Sequence, residues 1–133
     1  MDRLFLDANV LFSAAYRPGA GLLQIWRLKN VALCSSRYAL SQANLNLDEE
    51  EQQRRLAKLS QRLQLFDPPS GKLPAGIALP EKDIPILLAA IEARATHLLT
   101  GDVRDFGPYF GKRIEGVRIL LPGEYLRMRS RST

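Results

Sequence analysis

Four aspartates, Asp7, Asp83, Asp102 and Asp105, stand at the edges of apolar segments instead of on a charged face. Asp7 closes the run RLFLD and is bordered by Leu4, Phe5, Leu6, Val10, Leu11 and Phe12. The other three lie in LPEKDIPILLAAIEARATHLLTGDVRDF, from Leu79 to Phe106. A carboxylate in such surroundings is partly desolvated, which costs on the order of several kcal/mol unless a partner compensates it. If the fold brought the four together, each would raise its neighbours' pKa values and the group would call for a cation. Oxygen-only donors suit hard divalent ions, so the chemistry expected is that of Mg2+ or Mn2+. Three of the acids also have a structural role open to them: Asp83 with Pro85 is a helix-start signal, and Asp102 and Asp105 suit a turn after a strand.

The elements that must position these residues alternate. RLFL reads as a strand ending at Asp7, Gly19 to Lys29 as a helix carrying Leu22, Leu23, Ile25 and Trp26, and VALC as a second strand. Ser36 is an N-cap for a helix through Leu45, and Asp48 begins a longer helix with Leu56, Leu59 and Leu63 as its apolar stripe. LQLF is either a strand or the frayed end of that helix. Pro68, Pro69, Pro74 and Pro80, with Gly71 and Gly76, make Asp67 to Lys82 irregular. A helix over about Ile84 to Arg94, the strands HLLT and VRILL, and a closing helical turn or two from Glu124 to Arg129 complete the chain. This order predicts an α/β fold, a three-layer α/β/α sandwich around a central, mostly parallel sheet with right-handed crossovers. Ligands in such folds sit beyond the C-terminal ends of the strands, where Asp7 and Asp102 fall.

The 133 residues suit a single domain spanning 1–133 with a basic tail over about 127–133. No apolar run reaches the roughly 18 residues needed to span a membrane, and Asp2 and Asp7 interrupt any secretory leader. The single cysteine, Cys34, excludes an internal disulfide and points to a reducing, cytoplasmic setting and to a place in the core. A net charge of +5 and a pI near 9.7, with the four acids included, leave a basic remainder that favours an anionic partner. Arg54, Arg55, Lys58 and Arg62, and then Lys112, Arg113, Arg118, Arg127, Arg129 and Arg131, are the candidates for a phosphate-binding surface. Against this, Glu50 with Arg54 and Glu51 with Arg55 read as i,i+4 pairs on an exposed helix. His97, the only histidine, opens a strand and supports neither a histidine metal site nor a Ser-His-Asp triad. Phe5, Phe12, Trp26 and Phe66 read as core.

At these residues the chain resembles the PIN domain family, most of whose members are Mg2+- or Mn2+-dependent ribonucleases. FLDANVLFSA resembles the family's opening strand with its first acid at Asp7, and KDIPILLAAIEARATHLLTGDVRDF the block that supplies later acids at Asp83, Asp102 and Asp105. GVRILLPGEYL, from Gly116 to Leu126, resembles the closing strand and helix of the subgroup described as toxins of toxin-antitoxin pairs. The resemblance implies that Asp7, Asp83 and Asp102, with Asp105, hold one or two ions and hydrolyse RNA phosphodiester bonds. It gives Asn9 and Thr100 the task of orienting ligands or waters, and Arg104, Lys112 and Arg113 that of touching RNA. A cognate antitoxin protein and a homodimer are implied partners.

One position departs from the pattern. The family carries a glutamate on the second helix, and SSRYALSQANLNL puts Gln42 in that slot. An amide oxygen can hold a metal-bound water, but it brings no charge and accepts no proton at neutral pH. Glu49, Glu50, Glu51 and Glu92 are not placed to replace it. Two further readings follow: a degenerate PIN domain that binds RNA or protein without cutting, and a haloacid-dehalogenase-like phosphatase, whose strand-aspartate and later Gly-Asp pattern TGDVRDF imitates. Asn9 opposes the latter, since that family needs a second acid there.

Overall fold

A computed structural model describes residues 1–67 and 71–131. Pro68 and Pro69, and the last two residues of the basic tail, lie outside the described residues.

Strand β1 (Asp2–Leu6) occupies the middle of a six-stranded sheet. Leu4, Phe5 and Leu6 are fully buried, as a central parallel strand covered on both faces requires. To one side run β2 (Val31–Ser36) and β3 (Gln64–Phe66); to the other run β4 (His97–Leu99), β6 (Val117–Leu120) and β5 (Arg113–Ile114). The order is β3-β2-β1-β4-β6-β5, and all pairs are parallel except β5 with β6. The chain therefore winds outward from β1 through β2 to β3, then returns past β1 to β4. The junction of β1 and β4 is the point where the direction of winding reverses, and the crevice beyond it is where ligands enter folds of this kind.

Helix α1 (Ala8–Ala15) follows β1 without a connecting residue other than Asp7. It packs against α2 (Arg37–Asn46) and α3 (Glu50–Ser60), while α4 (Ile84–Glu92) lies against β2 and β4. Ser36 caps α2, its hydroxyl accepting from Ala39 N at 3.0 Å. α4 is rich in small residues on its buried side, Ala89 and Ala90, which lets it sit close to the sheet. The expected three-layer α/β/α arrangement is the one observed.

Several boundaries differ from expectation. Residues 8 to 15, given no element from the sequence, are α1. Gly19 to Lys29 forms no α-helix but a 3₁₀ segment, Gly21–Arg27. The longer helix starts at Glu50, two residues later than Asp48, capped by Glu49, whose N–H donates to Gln52 Oε1 at 3.1 Å. That helix ends at Ser60, so Leu63 lies beyond it in the link to β3, and the last three residues of LQLF form the strand. The final helix, α5 (Pro122–Arg131), is longer than two turns, and β5, only two residues long, was not anticipated.

The polar end of the sheet opposite the acids is a closed latch. Tyr125 on α5 donates its hydroxyl to Asp2 Oδ2 at 2.6 Å, and Arg129 donates to the Lys29 carbonyl at 2.7 Å. His97 stacks edge-on against Tyr125, the ring centroids 4.9 Å apart, and its burial holds its pKa below the ordinary value. Its role is structural, as expected, and Cys34 is buried in the core. Much of the basic surface is also committed to backbone. Arg55 donates to the Ala15 and Tyr16 carbonyls at 2.9 and 3.0 Å, capping the C-terminal end of α1. Arg62 donates to the Trp26 carbonyl and Arg118 to that of Gly111. The expected Glu51–Arg55 pair is thus absent: Arg54 alone takes Glu50 at 2.7 Å and Glu51 at 2.9 Å.

Candidate metal centre

Asp7 emerges from β1 at the winding reversal, its N–H bonded to the Leu99 carbonyl of β4 at 3.1 Å. Its side chain caps α1, with one oxygen accepting from Ala8 N at 2.6 Å. The other oxygen accepts from Thr100 Oγ1 at 2.7 Å and from Asn9 Nδ2 at 3.3 Å. Only 3% exposed, Asp7 has its pKa raised by burial, an effect that the Thr100 and Ala8 hydrogen bonds oppose. Asn9 completes the junction: its Oδ1 accepts from Gly101 N at 2.8 Å, tying the start of α1 to the residues that leave β4. Asn9 and Thr100 therefore fix the Asp7 carboxylate and stitch the two strand ends together.

The remaining three acids converge beside it. Asp83, Asp102 and Asp105 present carboxylate oxygens within 4.8 Å of one another. Asp83 ends a short 3₁₀ turn, Glu81–Asp83, and leads into α4, yet its side chain makes no capping hydrogen bond. The helix-start reading holds for its position in the chain and fails for its carboxylate, which faces the acids. Asp102 does both things expected of it: Oδ1 accepts from Asp105 N at 3.0 Å, closing the turn after β4, while Oδ2 turns toward the group. Asp7 is not one of the three within 4.8 Å, but with Asp83 and Asp102 it lines one cleft of about 690 Å³. Asn9, Phe12, Gln42, Leu45, Asn46 and Lys82 complete that lining. Phe12 is thus half-buried at the rim of the site and not wholly core.

Lys82 was not singled out from the sequence. Its ammonium lies 3.2 Å from Asp83, 3.5 Å from Asp102 and 3.0 Å from Asp105. Asp105's hydrogen bond raises the Lys82 pKa, so that it stays charged, and in turn Lys82 holds Asp105 below the usual carboxylate range. Burial, together with a hydrogen bond that the protonated carboxyl donates to Asp105, pushes Asp83 up to about 6. A lysine beside an aspartate in EKD reads in one dimension as an ordinary exposed charge; only the return of residues 102 to 105 from β4 reveals what it faces.

The donor set fits a hard divalent ion: carboxylates converge from separate elements, burial raises the proton affinity of Asp7 and Asp83, and a cation is already drawn among the group.

The fold matches a chain in the crystal structure of VapBC2 from Rickettsia felis bound to a DNA fragment from their promoter. The TM-score is 0.67 over 88% of this chain and 96% of that chain, at 19% sequence identity. The fold is PIN-like. No family model matches the chain, and no curated protein matches it.

Gln42, on α2, lines the cleft. Its amide nitrogen donates to the Tyr38 hydroxyl at 2.8 Å, and that hydroxyl donates to the Lys82 carbonyl at 2.8 Å. The residues considered for RNA contact divide. Arg104 is exposed on the turn between Asp102 and Asp105. Arg113 pairs with Arg118, which pairs with His97 at the start of β4. Arg113 therefore lies level with the start of β4, on the outer edge of the sheet, Lys112 stands one step along that edge beside Ile119, and neither lines the acidic cleft.

Proposed function

We propose that the protein is a metal-dependent ribonuclease, the toxin component of a toxin-antitoxin pair, which hydrolyses RNA phosphodiester bonds at the cleft beyond β1 and β4. The observation that carries this reading is the convergence of Asp83, Asp102 and Asp105 at the winding reversal of a PIN-like sheet, with Asp7 lining the same cleft as Asp83 and Asp102. Asp7, Asp83 and Asp102 would hold Mg2+ or Mn2+, with Asp105 contributing to the same group. A bound ion supplies a water of lowered pKa and neutralises charge that builds on the scissile phosphate. Asn9 and Thr100 aim Asp7 by donating to one of its oxygens, and the Thr100 hydrogen bond works against the burial that raises its pKa. The half-buried Phe12 limits water access on one side of the cleft. RNA reaches it as a flexible single strand or loop held by its phosphates, with Arg104 beside the acids as the nearest exposed arginine on that turn.

A second reading, a PIN-like module that binds RNA or a protein partner without cutting, is favoured by one observation: Gln42 is committed through its amide nitrogen to Tyr38 and brings no charge. Single-turnover cleavage of a labelled RNA pool with and without Mn2+ decides between the two. Metal-dependent cutting that disappears in Asp7→Asn is the nuclease result; retention of RNA by an uncut complex is the module result.

A further inference from the structure

Three carboxylates share one ammonium, and the geometry of that ammonium is not that of an ordinary surface ion pair. Lys82 Nζ stands within 3.5 Å of oxygens from Asp83, Asp102 and Asp105 at once, whereas the acids themselves are 7%, 17% and 13% exposed. The lysine side chain is 60% exposed. Its backbone, in contrast, is anchored: the carbonyl accepts from the Tyr38 hydroxyl on α2, and the next N–H, that of Asp83, donates to Pro80 O at 2.9 Å. A fixed base with a long, solvent-facing side chain can withdraw its charge without moving a loop. We infer that Lys82 is a tethered counter-ion, its ammonium holding the carboxylates together in the metal-free protein and being displaced when a divalent ion binds.

This rests on the reading of the cleft as a metal centre. Like charges this close destabilise one another unless a cation sits between them, and an ammonium does so with a single charge and no coordination geometry. A divalent ion brings twice the charge and takes several oxygens at short range, so it out-competes the lysine, while Na+ or K+ gains nothing over a tethered cation. Lys82 thereby sets a threshold: the centre loads with divalent ions only, and its affinity is lower than the same carboxylates would give alone. Lys82 is a positioning residue for the acids, acting on them and not on the reacting atoms.

Calorimetric titration of Mn2+ into the full-length wild type and Lys82→Met tests this. The expected result is at least tenfold tighter binding in the variant, together with a lower melting temperature before Mn2+ is added and a larger rise after. Equal or weaker Mn2+ binding in Lys82→Met overturns the proposal while wild-type binding leaves the metal centre standing. No Mn2+ binding by either protein overturns both. Tighter binding in Lys82→Met with no RNA cleavage by either protein supports the tethered counter-ion and removes the nuclease reading. A second measurement needs no variant: in wild type, the side-chain 15N ammonium resonance of Lys82 should shift on saturation with Mg2+ and stay in place with 100 mM added K+. A resonance unmoved by saturating Mg2+ overturns the proposal.

Discussion

The two ends of the central strand carry polar clusters of opposite kinds. At the N-terminal end of β1, Asp2 meets the Tyr125 hydroxyl and the Arg129 guanidinium, and Arg129 also closes on the Lys29 carbonyl, so that one acid has one base. At the C-terminal end, three acids gather around one lysine and a fourth, Asp7, lines the same cleft. Both clusters are partly buried and both tie distant segments together. The first balances its charge and gains stability; the second leaves an excess of negative charge that folding alone gives no reason to keep. An uncompensated cluster at a topological reversal is where a ligand supplies what the protein lacks.

The largest test of that contrast is Asp83→Asn. Since the Asp83 side chain makes no capping hydrogen bond, the substitution should leave the fold intact and lower metal-dependent RNA cleavage by about 100-fold or more, as loss of a ligand exceeds the 10–100-fold typical of residues that merely support one. Single-turnover kinetics with circular dichroism as a fold control reads it. Full cleavage in Asp83→Asn would make the acidic end a latch like the other.

Next in size is the pH dependence. The unfolded chain releases the Asp83 proton near 3.8 and the folded one near 6, so across that window the native state holds the extra proton and the metal-free protein loses stability as pH rises. Metal binding has the opposite sign, because the ion must displace that proton, and affinity should climb up to tenfold per pH unit until about pH 6 and then level off. The rise in melting temperature caused by Mn2+ should therefore be small at pH 5 and largest above pH 7. An equal rise at both would remove Asp83 from the ligands.

At the other end, Tyr125→Phe should lower stability by about 1–2 kcal/mol, a few degrees in melting temperature, by stripping Asp2 of its shortest donor. Mn2+ affinity and cleavage should not change. A drop in metal affinity in this variant would show that the two ends are coupled through β1.

The smallest effect is expected from Gln42→Glu, which adds a carboxylate to the cleft lining and should tighten Mn2+ binding several-fold. The gain is limited because a glutamate there would accept from Tyr38 and compete with the Lys82 carbonyl for its hydroxyl. Flat affinity would place position 42 outside the centre.

How much of this was legible depended on the range of the interaction. Asp7 stood out because a lone acid in an apolar run has few structural excuses, and Ser36 because N-capping is a three-residue affair. The parallel sheet followed from the alternation of elements. What escaped was settled by distant parts of the chain. ANVLFSAA was hidden as a helix by the apolar strand it continues, and Lys82 is an ordinary charge until Asp102 and Asp105 arrive from beyond β4. Arg55 was assigned to Glu51, its neighbour on α3, when the orphan carbonyls at the end of α1 offered a better partner.

The stitch between Asp7 and Thr100 has a consequence for how the molecule comes into being. The two residues are 93 positions apart, and β1 cannot gain its second neighbour until β4 exists. Contacts of such long span are closed late, since chain entropy is lost before they repay it. During synthesis the first aspartate waits through most of the chain with half its sheet missing. The acidic edge is accordingly among the last features to form, and a ribosome-bound or truncated chain ending before His97 lacks β4 and with it Asp102 and Asp105.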